Sequence, residues 1–161
     1  MTTFTKWFLL NALVLTSSVL AEVKGMISLM IKSDSSYLTI VIIALYFIMS
    51  GFVGRLSYLA DRINPKSAMA KDDSSSLMKK TDVAWFAAEH FFSLGLLGTV
   101  VGLCIATATS LTSNAQLGEV VSSLKVGLNT AFYTTICGIV YSIPLQIQIM
   151  ILKYKLEEIN D

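Results

Sequence analysis

Apolar residues run along this 161-residue chain in four blocks separated by short polar stretches. Three blocks, Ser35–Gly54, Phe91–Gly118 and Val126–Leu152, contain no charged residue. A helix rises 1.5 Å per residue, so about twenty apolar residues cross a hydrocarbon layer about 30 Å thick. Each of these blocks therefore predicts a transmembrane helix. The first block is shorter, because Trp7–Ala21 is interrupted by Glu22 and Lys24. Three readings fit it. One is a retained helix from about Phe4 to Ile31, crossing with Glu22 and Lys24 near the far headgroups. Another is a secretory signal with basic Lys6, an apolar middle and a small-residue end, cut after Ala21. The third is an amphipathic helix in the membrane interface.

The polar stretches set the expected topology. Arg55–Asp82 carries Arg55, Arg62, Lys66, Lys71, Lys79 and Lys80 together with Pro65 and the cluster DDSSS, and reads as a water-exposed connection. Between the last two apolar blocks, Thr112–Lys125 holds only one basic residue, Lys125. The positive-inside rule places the first connection and the tail with Lys153 and Lys155 in the cytoplasm and the second loop outside. The expected divisions are 1–33 (N-terminal helix), 34–55 (transmembrane helix), 56–84 (short cytoplasmic connection) and 85–161 (a two-helix module with its outer loop and tail). The fold class is all-α and polytopic, with three clear transmembrane helices and an N-terminal fourth.

Within the last two blocks, small residues recur at helical spacing. Gly98, Gly102 and Ala106 follow at steps of four, with Gly95 and Thr99 adjoining, while Gly127, Ala131, Thr135, Gly138 and Ser142 make a second stripe. Such stripes let two helix backbones approach closely in lipid. Threonines accompany them: Thr99, Thr107 and Thr109 on one helix, Thr130, Thr134 and Thr135 on the other. Packing alone needs only Gly or Ala. Hydroxyls can instead line a water file or meet a charged side chain, although each threonine can also bond a carbonyl on its own helix.

The two segments GLLGTVVGLCIATATSL and GLNTAFYTTICGIVYSIPLQI resemble the last two transmembrane helices of the MotA/TolQ/ExbB proton-channel family. That resemblance implies a ring, a homopentamer in known relatives, around a dimeric single-span partner similar to MotB, TolR or ExbD that carries an intramembrane Asp. It also implies a bacterial inner-membrane location with a cytoplasmic C-terminus, and use of the proton-motive force for mechanical work. Thr99 and Thr135 match the family's pore-facing threonines, with Thr130 and Thr134 secondary. Neither C-terminal block holds an Asp, Glu, Lys or His, and Tyr and Cys ordinarily titrate too high to cycle protons near neutrality. The partner would then supply the titrating carboxylate. Two departures stand out. TolQ-like and ExbB-like members usually have Glu where this chain has Thr130, which leaves Na+ open beside H+ as the transported ion. The connection between spans is also far shorter than in flagellar stators, which argues against torque on a flagellar switch.

Composition narrows the alternatives. With 54% hydrophobic and 14% charged residues and a net charge of +1, the chain has no basic patch for nucleic acid. No nucleotide loop, catalytic triad or metal-ligand cluster is visible, so neither an enzyme nor a cofactor is expected. Cys104 and Cys137 read as packing residues, and Glu89 with His90 as an interfacial pair or a proton relay. Trp7, Trp85, Tyr37 and Tyr154 read as interfacial anchors. Pro144 predicts a bend, as a fixed kink or a hinge, because the carbonyl of Val140 loses its helical donor. A passive membrane scaffold and a self-sufficient small pore are the competing functions.

Overall fold

The computed structural model describes residues 2–64, 67, 69–110 and 117–160, the side chains at 109, 110 and 119 excepted. Five helices carry the described chain: α1 (Thr3–Val23), α2 (Met26–Ser33), α3 (Leu38–Arg62), α4 (Ala70–Ser110) and α5 (Leu117–Asn160). Four of them, α1, α3, α4 and α5, are long and apolar enough to cross a membrane. No strand occurs among the described residues. Contacts divide the chain into two units. One contains residues 1–17, 45–89 and 142–161, and the other contains 18–44 and 90–141.

In the first unit, buried side chains recur at steps of three and four along each long helix. They are Tyr46, Ser50, Val53, Leu56 and Ala60 on α3, and Ala70, Ser74, Leu77, Thr81, Ala84 and Ala88 on α4. Leu145, Ile149, Leu152, Leu156 and Ile159 continue the pattern on α5. This periodicity turns residues on either side of the polar connection into helix. Arg55–Arg62 extends α3, and the DDSSS cluster opens α4, where Asp72 and Asp73 complement the exposed amides of the first turn. Only residues 63–69 separate the two helices, and Pro65 and Lys66 lie outside the described residues.

The N-terminal helix is tied into this unit. The Asp61 carboxylate, at the end of α3, accepts from the Thr3 and Phe4 amides at 2.9 and 2.8 Å. It thus caps a helix start that otherwise has unsatisfied donors. One turn on, the Trp7 ring occupies a notch at Gly54, where an added Cβ would come within 2.5 Å of it. Its indole N–H donates to the Ser50 carbonyl at 2.9 Å. Trp7 is therefore a packing residue between α1 and α3 as well as an aromatic near a helix end. The Ser50 hydroxyl lies 2.7 Å from Asn11 Oδ1 and 2.9 Å from Gln148 Oε1, and its single proton serves one at a time. These contacts run backwards along α3, so α1 and α3 are antiparallel.

In the second unit the expected Phe4–Ile31 helix is broken. Gly25 adopts φ +69°, and α1 ends at Val23 before α2 begins at Met26. A side chain is disfavoured at that φ, so the break coincides with the one glycine in the segment. Residues 112–116 of the expected outer loop lie outside the described residues, while 117–125 are not loop but the first turns of α5. The helix α5 continues through Pro144.

Candidate ion-path site

Residues 91–106 of α4 and 127–138 of α5 lie against each other with almost nothing between their backbones. An added Cβ at Gly102 would sit 2.5 Å from the Gly127 carbonyl and 2.7 Å from the Ala131 nitrogen. One at Gly138 would meet the Phe91 carbonyl at 2.7 Å, and one at Gly95 would lie 3.2 Å from the Thr135 Cα. A Cβ at Gly98 would run into the Thr134 side chain, and one at Gly127 into the Gly102 carbonyl and Ala106. The spacing of four on both helices creates this seam, since residues four apart share a face and Gly and Ala leave it flat. Gly95, Gly98, Gly102, Ala106, Gly127, Ala131 and Gly138 therefore all lie on one contact. Ser142 lies further along α5, in the other unit, where its buried hydroxyl donates to the Ala88 carbonyl at 2.8 Å.

This close approach brings the threonines together. Thr99 Oγ1 and Thr135 Oγ1 are 2.5 Å apart and either can donate. Each also reaches helix carbonyls: Thr99 that of Gly95 at 3.2 Å, Thr135 that of Ala131 at 3.0 Å. Two hydroxyls carry two protons. One joins the pair and the other goes to a carbonyl, so oxygen lone pairs remain to accept from a further donor. Reversing the central bond exchanges which hydroxyl keeps both lone pairs free and which keeps one. Both residues are only half-buried in the chain, so the pair lies at the edge of the seam.

Thr130 and Thr134 differ, because both are fully buried. Thr134 Oγ1 donates back to the Thr130 carbonyl at 2.9 Å. Thr130 Oγ1 donates to the Ser33 carbonyl at 3.1 Å and accepts from the Ser35 amide at 3.2 Å. Its hydroxyl is spent on the turn between α2 and α3. Thr107 is exposed and, among the described residues, bonds carbonyls of its own helix, and the Thr109 side chain lies outside the described residues. Cys104 is exposed and Cys137 buried, and no group of His, Cys, Asp and Glu that could hold a metal occurs among the described residues. In the other unit Glu89 accepts from the Trp85 indole at 2.7 Å.

One carboxylate had no place in the sequence reading. Asp34 is 3% exposed. Its Oδ1 accepts from the Ser36 amide and hydroxyl at 2.9 and 2.6 Å, and its Oδ2 from the Thr39 amide at 2.7 Å. Burial by itself would push this carboxyl up; the bonds from Ser36 and Thr39 outweigh it and hold the group below its ordinary value. The available signal was the string DSSY directly before an apolar run, since Asp bonds amides two and more residues on at such helix starts.

A family model described as the MotA/TolQ/ExbB proton channel family matches residues 67–161, which contain the whole of α4 and α5. Neither a curated protein nor a solved structure matches the chain. The matched stretch is more than half of the chain and includes the glycine seam with its Thr99–Thr135 pair. This multi-pass membrane protein belongs to the MotA/TolQ/ExbB proton channel family.

Proposed function

We propose that the chain is the ion-conducting ring subunit of a motor in the bacterial inner membrane, with its C-terminus in the cytoplasm. Copies of it, five in the expected ring, surround two spans of a MotB/TolR/ExbD-like partner. The half-buried Thr99–Thr135 pair carries this reading. Hydroxyl oxygens with spare lone pairs, held at the edge of a rigid seam, suit a wall along which a proton or a partner's protonated carboxyl passes. Apolar side chains there would exclude the water that such transfer needs. The partner's Asp takes up the ion, loses its charge and changes its fit against this wall. Release of the ion restores the charge, and the cycle turns one component within the other. The ion is H+, with Na+ as the alternative.

The decisive comparison is Thr135→Val in the complex isolated from its native membrane with whatever single-span protein accompanies it. Val keeps the shape and removes the hydroxyl. Ion uptake into liposomes should fall about tenfold or more, as losing a hydrogen bond of 1–3 kcal/mol at the path implies, while the subunit count by native mass spectrometry stays unchanged. Uptake equal to wild type would remove the Thr135 hydroxyl from the path, and no uptake by the wild-type complex would favour the passive scaffold. A broken assembly would place Thr135 among the packing residues. Uptake in sodium-free buffer distinguishes the two ions.

A further inference from the structure

Asp34 is a buried carboxylate that the Thr99–Thr135 wall does not use. Its two oxygens fold residues 34–39 into a tight turn by accepting from Ser36 and Thr39. The Asp34 amide donates to the Met30 carbonyl at 3.0 Å, which closes the end of α2. The same turn holds Tyr37 at φ +59°, a region a non-glycine residue enters only when its surroundings impose it. The two backbone groups that flank Asp34, the Ser33 carbonyl and the Ser35 amide, are those that the Thr130 hydroxyl bonds on α5. Thr130 is in turn bonded through its carbonyl to Thr134, which fills the space at Gly98. A continuous set of contacts thus leads from the carboxylate to the glycine seam, within one unit of the chain.

We infer that Asp34 is a positioning residue for the hydroxyl-lined wall, acting through the 33–39 turn on Thr130; this rests on the ion-path reading above. The carboxylate shapes the turn, the turn presents one acceptor and one donor at the right separation, and Thr130 occupies both. A single hydroxyl can bridge a carbonyl and an amide in this way only while the turn keeps that shape. A buried carboxylate that accepts from two amides and a hydroxyl is costly to leave half-bonded, so the turn has little freedom while Asp34 is intact. Registration of α5 against α4 at Thr134 and Gly98 then follows from the turn.

Residue-resolved hydrogen exchange on the full chain in lipid nanodiscs, paired with ion uptake by the complex, tests this. In Asp34→Asn the amides of Ser36 and Thr39 exchange faster whatever the role of Asp34. Positioning predicts in addition that the Ser35 amide, which Asp34 does not bond, exchanges about tenfold faster. It also predicts that ion uptake falls to the level of Thr130→Val, and that the double variant is no worse than Thr130→Val alone. Ser36→Ala, which leaves the carboxylate in place, should move the same readouts less and serves if Asp34→Asn does not fold. A Ser35 amide that stays protected, or losses of uptake that add, would reduce Asp34 to a local helix cap and overturn the inference. Normal uptake despite a released Ser35 would likewise overturn it. If the wild-type complex moves no ions, the exchange data still report whether Asp34 holds the 33–39 turn against Thr130, and the failure then belongs to the ion-path reading.

Discussion

Gly102 and Gly51 are both helical glycines, but only one faces a backbone. A Cβ at Gly102 would stand 2.5 Å from the Gly127 carbonyl, whereas one at Gly51 meets nothing within 4 Å. Gly102→Val should therefore lower the stability of the chain by about 1–3 kcal/mol, the usual range for forcing extra volume into a packed contact. Gly51→Ala should raise it by roughly 0.5–1 kcal/mol through helix propensity. Melting temperatures in the same detergent compare the two. Equal effects would mean that the seam yields easily and does not register α5. The stripe containing Gly102 was legible because its period matches a helix; Asp34 was not, because its importance lies in bonds to Ser36, Thr39 and, through the turn, Thr130. A single polar residue ahead of an apolar run carries no sign of being buried.

At the scale of elements, α1 is held at three successive levels by Asp61, Gly54 and Ser50 of α3. A segment destined for removal has no need of a complementary cap and notch on the body of the protein. N-terminal sequencing of the mature chain should therefore find residues ahead of Ala21 still attached. Asp61→Ala should destabilise α1 by about 1 kcal/mol, the typical worth of a lost cap, visible as faster exchange of the Thr3 and Phe4 amides. A mature chain beginning at residue 22 would refute this account of α1. Periodicity made the apolar character of α1 plain, yet its fate was open because the residues that hold it lie some fifty positions away. Element ends shifted for a related reason. The polar residues after Gly54 and before Trp85 read as a connection, but Leu56, Ala60, Leu77, Thr81 and Ala84 form buried stripes that carry both helices onward.

At the scale of the whole molecule, many large apolar side chains face outward, among them Phe86, Phe92, Leu97, Val100, Phe132 and Val140. Lipid accounts for such a surface in a membrane protein. Copies of the chain and a partner's spans would account for part of it in the proposed ring. Electron cryo-microscopy of the native complex should find five copies enclosing two foreign helices, with Thr99 and Thr135 on the inner wall. A ring closed on itself, or none, would favour a self-sufficient pore or a scaffold. The amino-acid order alone determined the all-helical membrane class, the three uncharged spans and the small-residue stripes. All of these follow from the length and period of apolar runs, which are local properties. Tertiary structure alone decided which hydroxyls pair at an edge and which are buried, that Trp7 and Asp61 bind α1 to α3, and that Thr130 bonds the turn that holds Asp34. Those facts depend on residues distant in sequence meeting at hydrogen-bonding range, and no periodicity within one helix records what lies across from it.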